Sequence, residues 1–413
     1  MPTPRLPLAR RALLSSALAA PAAVILARAA SAAPTTVGPT TAAGTAAADL
    51  AGPLGASAVG PRVRGADLSF TLQLEAAGAR WSADGCTAPV ERLFHEAGAN
   101  WMRIRVWVNP PAGYSTLHDA VVLARRAKQA GMKVLLDLHY SDFWADPAHQ
   151  SIPAAWVGQN LHQMAGTVRR YTAHALETLS DAGAPADMVQ IGNEITSGML
   201  WPLGQLYDGS ADQNWPSFTT LLGAGIAGAR MAKVTGKPPE VMIHIDRGGD
   251  NGGSRYFFDH VLAAGLDFDV IGESYYPFWH GPLQDLQANL VDLATRYGKD
   301  LIVAETAYPW TLANGDDLTN ILNSRSQLPD ARIWPPTPQG QLAYFTALRG
   351  VFGHVPGGHG LGFMSWEPEW IPGVGWTPGQ GNPNDNLTLF DFHGRALPAL
   401  QAFTPGRIHT DSA

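Results

Sequence analysis

From residue 62 onward, short apolar runs alternate with longer segments of helical periodicity, and the alternation occurs eight times. The runs are VRGADLSF (63 to 70), WMRIRVWV (101 to 108), KVLLDLHY (133 to 140) and MVQIGNEI (188 to 195), followed by EVMIHIDR (240 to 247), DVIGESYY (269 to 276), LIVAETAY (301 to 308) and LGFMSWEP (361 to 368). Between the third and fourth, Leu161, Met164, Val168, Tyr171, Ala175 and Leu179 recur at helix spacing. Strands that alternate with helices form a parallel sheet covered on its faces. Eight such units predict one closed (β/α)8 barrel of the TIM type and not an open doubly wound sheet. No G-x-G-x-x-G follows the first run, which further weakens a dinucleotide-binding reading.

A barrel of this kind places its chemistry at the C-terminal ends of its strands. Each run here ends in a polar or aromatic group: Asp67, Arg105, His139, Glu194, Asp246, Tyr275, Glu305 and Trp366. In the second run Met102, Ile104, Val106 and Val108 share one face, which leaves Arg103, Arg105 and Trp107 pointing inward. Two inward arginines need anions, and Asp67, Asp137, Glu194 and Glu305 are the candidates. Glu194 and Glu305 end the fourth and seventh runs, on opposite sides of the axis, so their carboxylates are expected to converge. Two converging carboxylates suit double-displacement glycoside hydrolysis, in which one attacks the anomeric carbon and the other protonates the leaving oxygen. Asn193 beside Glu194 would bind a sugar hydroxyl, and Tyr275 or Tyr276 would orient the nucleophile. The chain has 13 tryptophans. Trp107, Trp144, Trp201, Trp279, Trp310, Trp366 and Trp370 follow strand ends, where flat rings match the apolar faces of sugars.

Hydrophobic residues make up 46% of the chain and charged ones 15%, so a large core is available, and a net charge of -7 without basic runs argues against nucleic acid or an anionic membrane as partner. Residues 1–32 read as a signal peptide, with Arg5, Arg10 and Arg11 ahead of an apolar stretch and an Ala30-Ser31-Ala32 cleavage pattern. The Arg10-Arg11 pair fits a twin-arginine route. Residues 33–60 read as a flexible Ala/Thr/Gly/Pro segment, 61–405 as the barrel and 406–413 as a tail. A secreted monomer, free of the membrane once mature, is expected. Cys86, the only cysteine, is expected to be a small buried hydrophobe. His139, Asp142, Asp146 and His149 match no zinc spacing and read as substrate contacts or loop structure.

GADLSF, WMRIRVWVNP, LLDLHYSDFWADP, QIGNEITSGMLWP, IGESYYPFWHG, VAETAYPW and WEPEWIP, taken in order, resemble the family 53 glycoside hydrolases, the arabinogalactan endo-β-1,4-galactanases. The resemblance runs from residue 62 to about 403. It implies a retaining (β/α)8 enzyme that cuts β-1,4-galactan, the side chain of type I pectic arabinogalactan. It also implies that Glu194 is the acid/base and Glu305 the nucleophile. Asp67, Arg105, His139, Trp144, Asn193, Tyr275, Tyr276, Trp310 and Trp366 are then the expected substrate-binding residues. No cofactor is required, and the oxygen-rich loop 377–394 leaves room for a structural calcium of the kind some bacterial relatives hold. Glu273 departs from the family pattern, which has an apolar residue before SYYP. The acid pair does not choose the sugar, so a β-mannanase or β-glucanase on the same barrel, or a glycan-binding protein without catalysis, are the competing readings.

Overall fold

The computed structural model describes residues 60–207, 209, 213–376 and 379–406. The expected signal peptide, all of the 33–60 segment except residue 60, and the tail beyond residue 406 lie outside the described residues.

Eight parallel strands close on themselves: β1 Val63–Asp67, β2 Trp101–Val106, β3 Lys133–Leu138, β4 Met188–Ile191, β5 Glu240–Ile245, β6 Val270–Ser274, β7 Asp300–Thr306 and β8 Gly360–Ser365. Each pairs with its sequence neighbours, and β1 pairs with β8 to complete the (β/α)8 barrel. The helices between strands include α1 Val90–Glu96, α2 Leu117–Gln129, α3 Leu161–Asp181, α4 Trp215–Met231, α5 Asn251–Ala263, α6 Leu283–Tyr297 and α7 Pro338–His354. Their starts are encoded locally. Thr116 and Asn160 each accept from the third helical N–H, while Asp119 and Gln163 return the bond to the cap residue.

Two apolar cores follow from the alternation of side chains. The inner one fills the barrel with Val63, Trp101, Leu135, Met188, Met242, Val270, Ile302, Ala304, Leu361 and Met364. The larger one lies between sheet and helices and takes Met102, Ile104 and Val106 from β2, the face expected to point outward. Gly65 is required here, because a Cβ on it would lie 1.8 Å from the Met364 sulfur.

Every expected strand is present, and all eight end two to four residues earlier than the apolar pattern suggests. The difference has one cause. Where the strands reach the mouth the chain turns to aim side chains across it, so polar residues stay in the pattern while the ladder stops. In β4 the turn is sharp: Gly192 has φ 79° and Glu194 φ 47°. A left-handed glutamate is a strained conformation of the sort that collects at working sites.

Cys86 corrects an expectation. It is exposed, on a small hairpin of Trp81–Ala83 and Cys86–Ala88. The intervening Asp84 and Gly85 both take positive φ, as a tight two-residue turn demands. Turn chemistry, not the hydrophobicity of the thiol, sets its position.

Candidate active site

The site is built around Arg103, which projects inward from β2 and is 1% exposed. Its guanidinium pairs with Asp67 at 2.6 Å, Asp137 at 2.9 Å and Glu305 at 2.9 Å. It also donates to the Gln190 amide oxygen and, at 2.8 Å, to Asn193 Oδ1. One cation thus serves three carboxylates, which holds its own proton more firmly than usual against the cost of burial. Burial alone would raise Asp137, but Arg103 and then His139 outweigh it and keep that carboxyl ionised. Of the two inward arginines, Arg103 takes Glu305, while Arg105 pairs at 2.6 Å with Glu367, an acid outside the expected four.

Glu194 and Glu305 meet through β6. Ser274 at the end of that strand is in register with Glu305 on β7, and its hydroxyl lies 2.6 Å from Glu194 Oε1. A single residue therefore abuts one acid and touches the other. Their surroundings differ. Glu305 accepts from the Tyr276 hydroxyl at 3.1 Å as well as from Arg103. Burial and the nearby Asp67 and Asp137 still lift it to about 7, against the pull of Arg103 and Tyr276. Among the described residues no cation pairs with Glu194. Burial first, then the charges of Glu305 and Asp246, push it well above the ordinary carboxylate range. Asp246 is itself raised by burial and is bound by the Thr196 hydroxyl. Of the two acids, Glu305 ionises first and Glu194 keeps its proton.

The residues expected to touch substrate fall into two sets. Asn193 is 5% exposed with both side-chain atoms engaged by protein, and Tyr276 is 5% exposed. Trp144, Trp366 and Trp310 are partly exposed. Trp144 and Trp366 join Trp376, whose ring centroid lies 4.8 Å from that of Trp144. The others stand behind the surface. Asp67 is spent on Arg103 and Ser69. His139 accepts at Nδ1 from the Trp107 indole and the Ala145 amide, so its Nε2 proton goes to Asp137. Tyr275 turns away and donates to the Gly281 carbonyl. Arg105 lies 4.1 Å from the Trp144 ring centroid and 4.9 Å and 5.0 Å from those of Phe70 and Trp107. These four support the site and do not line it. Among the tryptophans, Trp279 is exposed beside Tyr276, whereas Trp370 is wholly buried.

Sequence reasoning missed Gln190, His244, Ser274 and Glu367. All are buried polar residues at or near strand ends, and Gln190, Ser274 and Glu367 lie within the segments that carry the family resemblance, but the sequence does not show which partner each side chain meets. Glu367, at φ 39°, accepts from Arg105 and from the Phe70 amide, and burial lifts it to about 8.

Glu273 faces outward from β6. It meets the Ser254 hydroxyl at 2.9 Å and the Arg247 amide at 3.1 Å instead of a cation, and burial lifts it to about 8. In the loop after β3, Asp142 caps the amides of Asn109 and Ala154 while Asp146 pairs with His149 at 2.9 Å, which is loop structure. Among the described residues no group of three or more His, Cys, Asp or Glu is placed to hold a metal ion. In the loop where calcium was considered, whose residues 377 and 378 lie outside the described set, Asp385 accepts from Gly315 and Asn320. Asp316 beside it accepts from Leu318 and Asn382. Each oxygen of the two carboxylates thus accepts from one N–H donor.

The family model for glycosyl hydrolase family 53 matches residues 63–403. An uncharacterised protein of Niallia circulans is 43% identical over 83% of this chain and 94% of its own length. A protein of Humicola insolens named arabinogalactan endo-beta-1,4-galactanase is 36% identical over 82% of this chain and 98% of its own. The solved family 53 catalytic domain of Ignisphaera aggregans superposes with a TM-score of 0.77 at 36% identity, covering 83% of this chain and 95% of that one.

Proposed function

This chain belongs to glycosyl hydrolase family 53, and on that footing we propose that it is a secreted, monomeric endo-β-1,4-galactanase acting on the galactan side chains of type I arabinogalactan with retention. The galactan assignment draws on relatives such as the Humicola insolens protein; the roles of the two acids draw on their unequal surroundings. Glu305, held by Arg103 and Tyr276, is the nucleophile that attacks the anomeric carbon. Glu194, paired with no cation among the described residues and close to other acids, carries the proton to the leaving oxygen and later takes one from water. The single observation that carries this reading is Ser274, which abuts Glu305 in register and contacts Glu194. Asn193, fixed by Arg103 and Gln190, is the proposed partner of a hydroxyl of the sugar at the point of cleavage. The partly exposed Trp144, Trp366 and Trp310 are the proposed platforms for neighbouring sugars.

Product analysis on purified polysaccharides tests the substrate: short oligosaccharides appear from potato galactan and not from mannan or cellulose. Release from mannan or cellulose instead would assign the barrel to the competing hydrolases, and binding without turnover would leave only a glycan-binding role. Glu194→Ala tests the division of labour. It should slow galactan cleavage by at least about a hundredfold yet spare the first step on an aryl galactobioside with a good leaving group. Added azide should then restore turnover and give the β-glycosyl azide; the α-product would mean the two acids are exchanged. Export is checked at the N-terminus of protein recovered outside the cell, expected near Ala33.

A further inference from the structure

Behind Glu194 runs a chain of buried hydrogen bonds whose donors can be counted. Asn193 Nδ2 donates to the Ala145 carbonyl at 2.8 Å, and its Oδ1 accepts from Arg103 and Gln190. An arginine only donates and a carbonyl only accepts, so the orientation of this amide is fixed from both sides. His244 Nδ1 lies 3.0 Å from Asn193 Oδ1, an oxygen that carries no proton. Nδ1 must therefore carry one. His244 is wholly buried near Arg103, Asp137 and His139; burial and then Arg103 drive its pKa well down, and it is neutral. A neutral ring protonated at Nδ1 has a bare Nε2, and that atom lies 2.9 Å from the Ser274 hydroxyl. The single proton of Ser274 then goes to His244. The contact of Ser274 with Glu194 Oε1 at 2.6 Å needs a proton from the other side.

We propose that Ser274 and His244 are positioning residues that keep the acid/base loaded: Glu194 holds its proton on Oε1 and donates to Ser274, which donates to His244. When Glu194 gives up a proton to the leaving oxygen, the trio has one fewer, and Glu194 and Nε2 compete for the one Ser274 hydrogen. Loss of the Ser274 to His244 bond opposes that state until water returns the proton to Glu194 in the second half of the reaction. If Ser274 swings its hydrogen onto Oε1, the acid proton sits on Oε2. That oxygen accepts no hydrogen bond from the described residues and is free to face the leaving group. Glu305, Asp246 and Asp146 also face Glu194 and add to the same preference.

This inference rests on Glu194 as the acid, and the test separates the two claims. In His244→Met, Ser274 is free to donate to the Glu194 carboxylate. One neutral hydrogen bond no longer favours the protonated state, so the alkaline limb of kcat/KM on galactan moves down by about half to one pH unit. The acid limb stays with Glu305. An alkaline limb that does not move while activity falls evenly across pH would overturn the relay. If Glu194 is not the acid, Glu194→Ala fails to spare the aryl substrate, whatever His244 does. Neutron diffraction on the unaltered protein decides the matter even if the variant does not fold. Deuterium is expected on His244 Nδ1 and on Glu194, and deuterium on Nε2 would sink the proposal.

Discussion

Arg103 is the residue on which the site's charge depends, because three buried carboxylates share its single cation. Replacing a buried ion partner by an apolar one leaves the remaining charges unpaid, at about 3–5 kcal/mol. Arg103→Met should lower stability to urea by that amount. It should also raise the pKa of Glu305 further, since the group that pulls it down is gone and burial is left unopposed. The acid limb of kcat/KM would then move to higher pH, because Glu305 must ionise to attack. An unchanged acid limb with normal stability would show that the pair does neither. Arg103 was legible as an inward cation from the period of β2, and the three acids nearest it were legible as candidate partners. Which cation took which acid was not. Arg103 and Arg105 lie two residues apart on one face, and only the closed barrel decides that Glu305 meets the first while Glu367 meets the second.

At the scale of the strand, β6 presents opposite chemistry on its two faces. Ser274 looks into the mouth, and Glu273 looks out toward α5, where its two oxygens meet the Ser254 hydroxyl and the Arg247 amide. Ser254 in turn reaches the Arg247 carbonyl at 3.2 Å, so a protonated Glu273 can donate to Ser254 while its other oxygen accepts from Arg247. Its folded pKa, raised to about 8 by burial, exceeds the unfolded value. Between the ordinary carboxylate range and about 8 the folded state therefore holds a proton that the unfolded state has released. The contribution is full at low pH and is lost as pH rises toward 8. Glu273→Gln has the same shape, can donate to Ser254 and accept from Arg247, and needs no proton. It should match the parent near pH 4 and exceed it by on the order of 1–3 kcal/mol at pH 8, read from urea midpoints at the two pH values. A parallel pH dependence in both proteins would mean Glu273 is ionised when folded. All eight strands were legible because a strand buried on both faces is a continuous apolar run. Their ends were not, since the residues that turn at the mouth keep the composition of the strand. The outward aim of Glu273 was not legible either, because period two fixes its face only once the strand's own register is known.

Across the whole molecule, the last described segment packs over the seam where β1 and β8 close the barrel. A 3-10 helix, Pro398–Phe403, lies against α7, and Phe403 is wholly buried between Phe94 of α1 and Phe363 of β8, with ring centroids at 5.2 Å and 5.6 Å. Two arginines tie its carbonyls down. Arg64 at the start of β1 donates to Phe403 at 2.8 Å, and Arg349 of α7 donates to Ala402, Thr404 and Gly406. Burial lowers both guanidinium groups, Arg349 to about 10, so each holds its charge less firmly in exchange for fixing the chain end. Gly98 admits the contact, because a Cβ there would lie 2.5 Å from the Phe403 carbonyl. These contacts join the first strand to the last at the N-terminal ends of the strands, the end of the barrel away from Glu194 and Glu305. The family match also ends at residue 403. Phe403→Ala should therefore cost about 3–5 kcal/mol in urea unfolding, as for a large aromatic removed from a core. KM for galactan and both limbs of the pH profile should be unchanged in the folded variant, since no group at the mouth moves. A shifted pH limb would mean that the seam between β1 and β8 transmits strain to the mouth, where Asp67 at the end of β1 shares Arg103 with Glu305. A loss well under 1 kcal/mol would mean that the last turn merely lies on the barrel and that the domain ends before it.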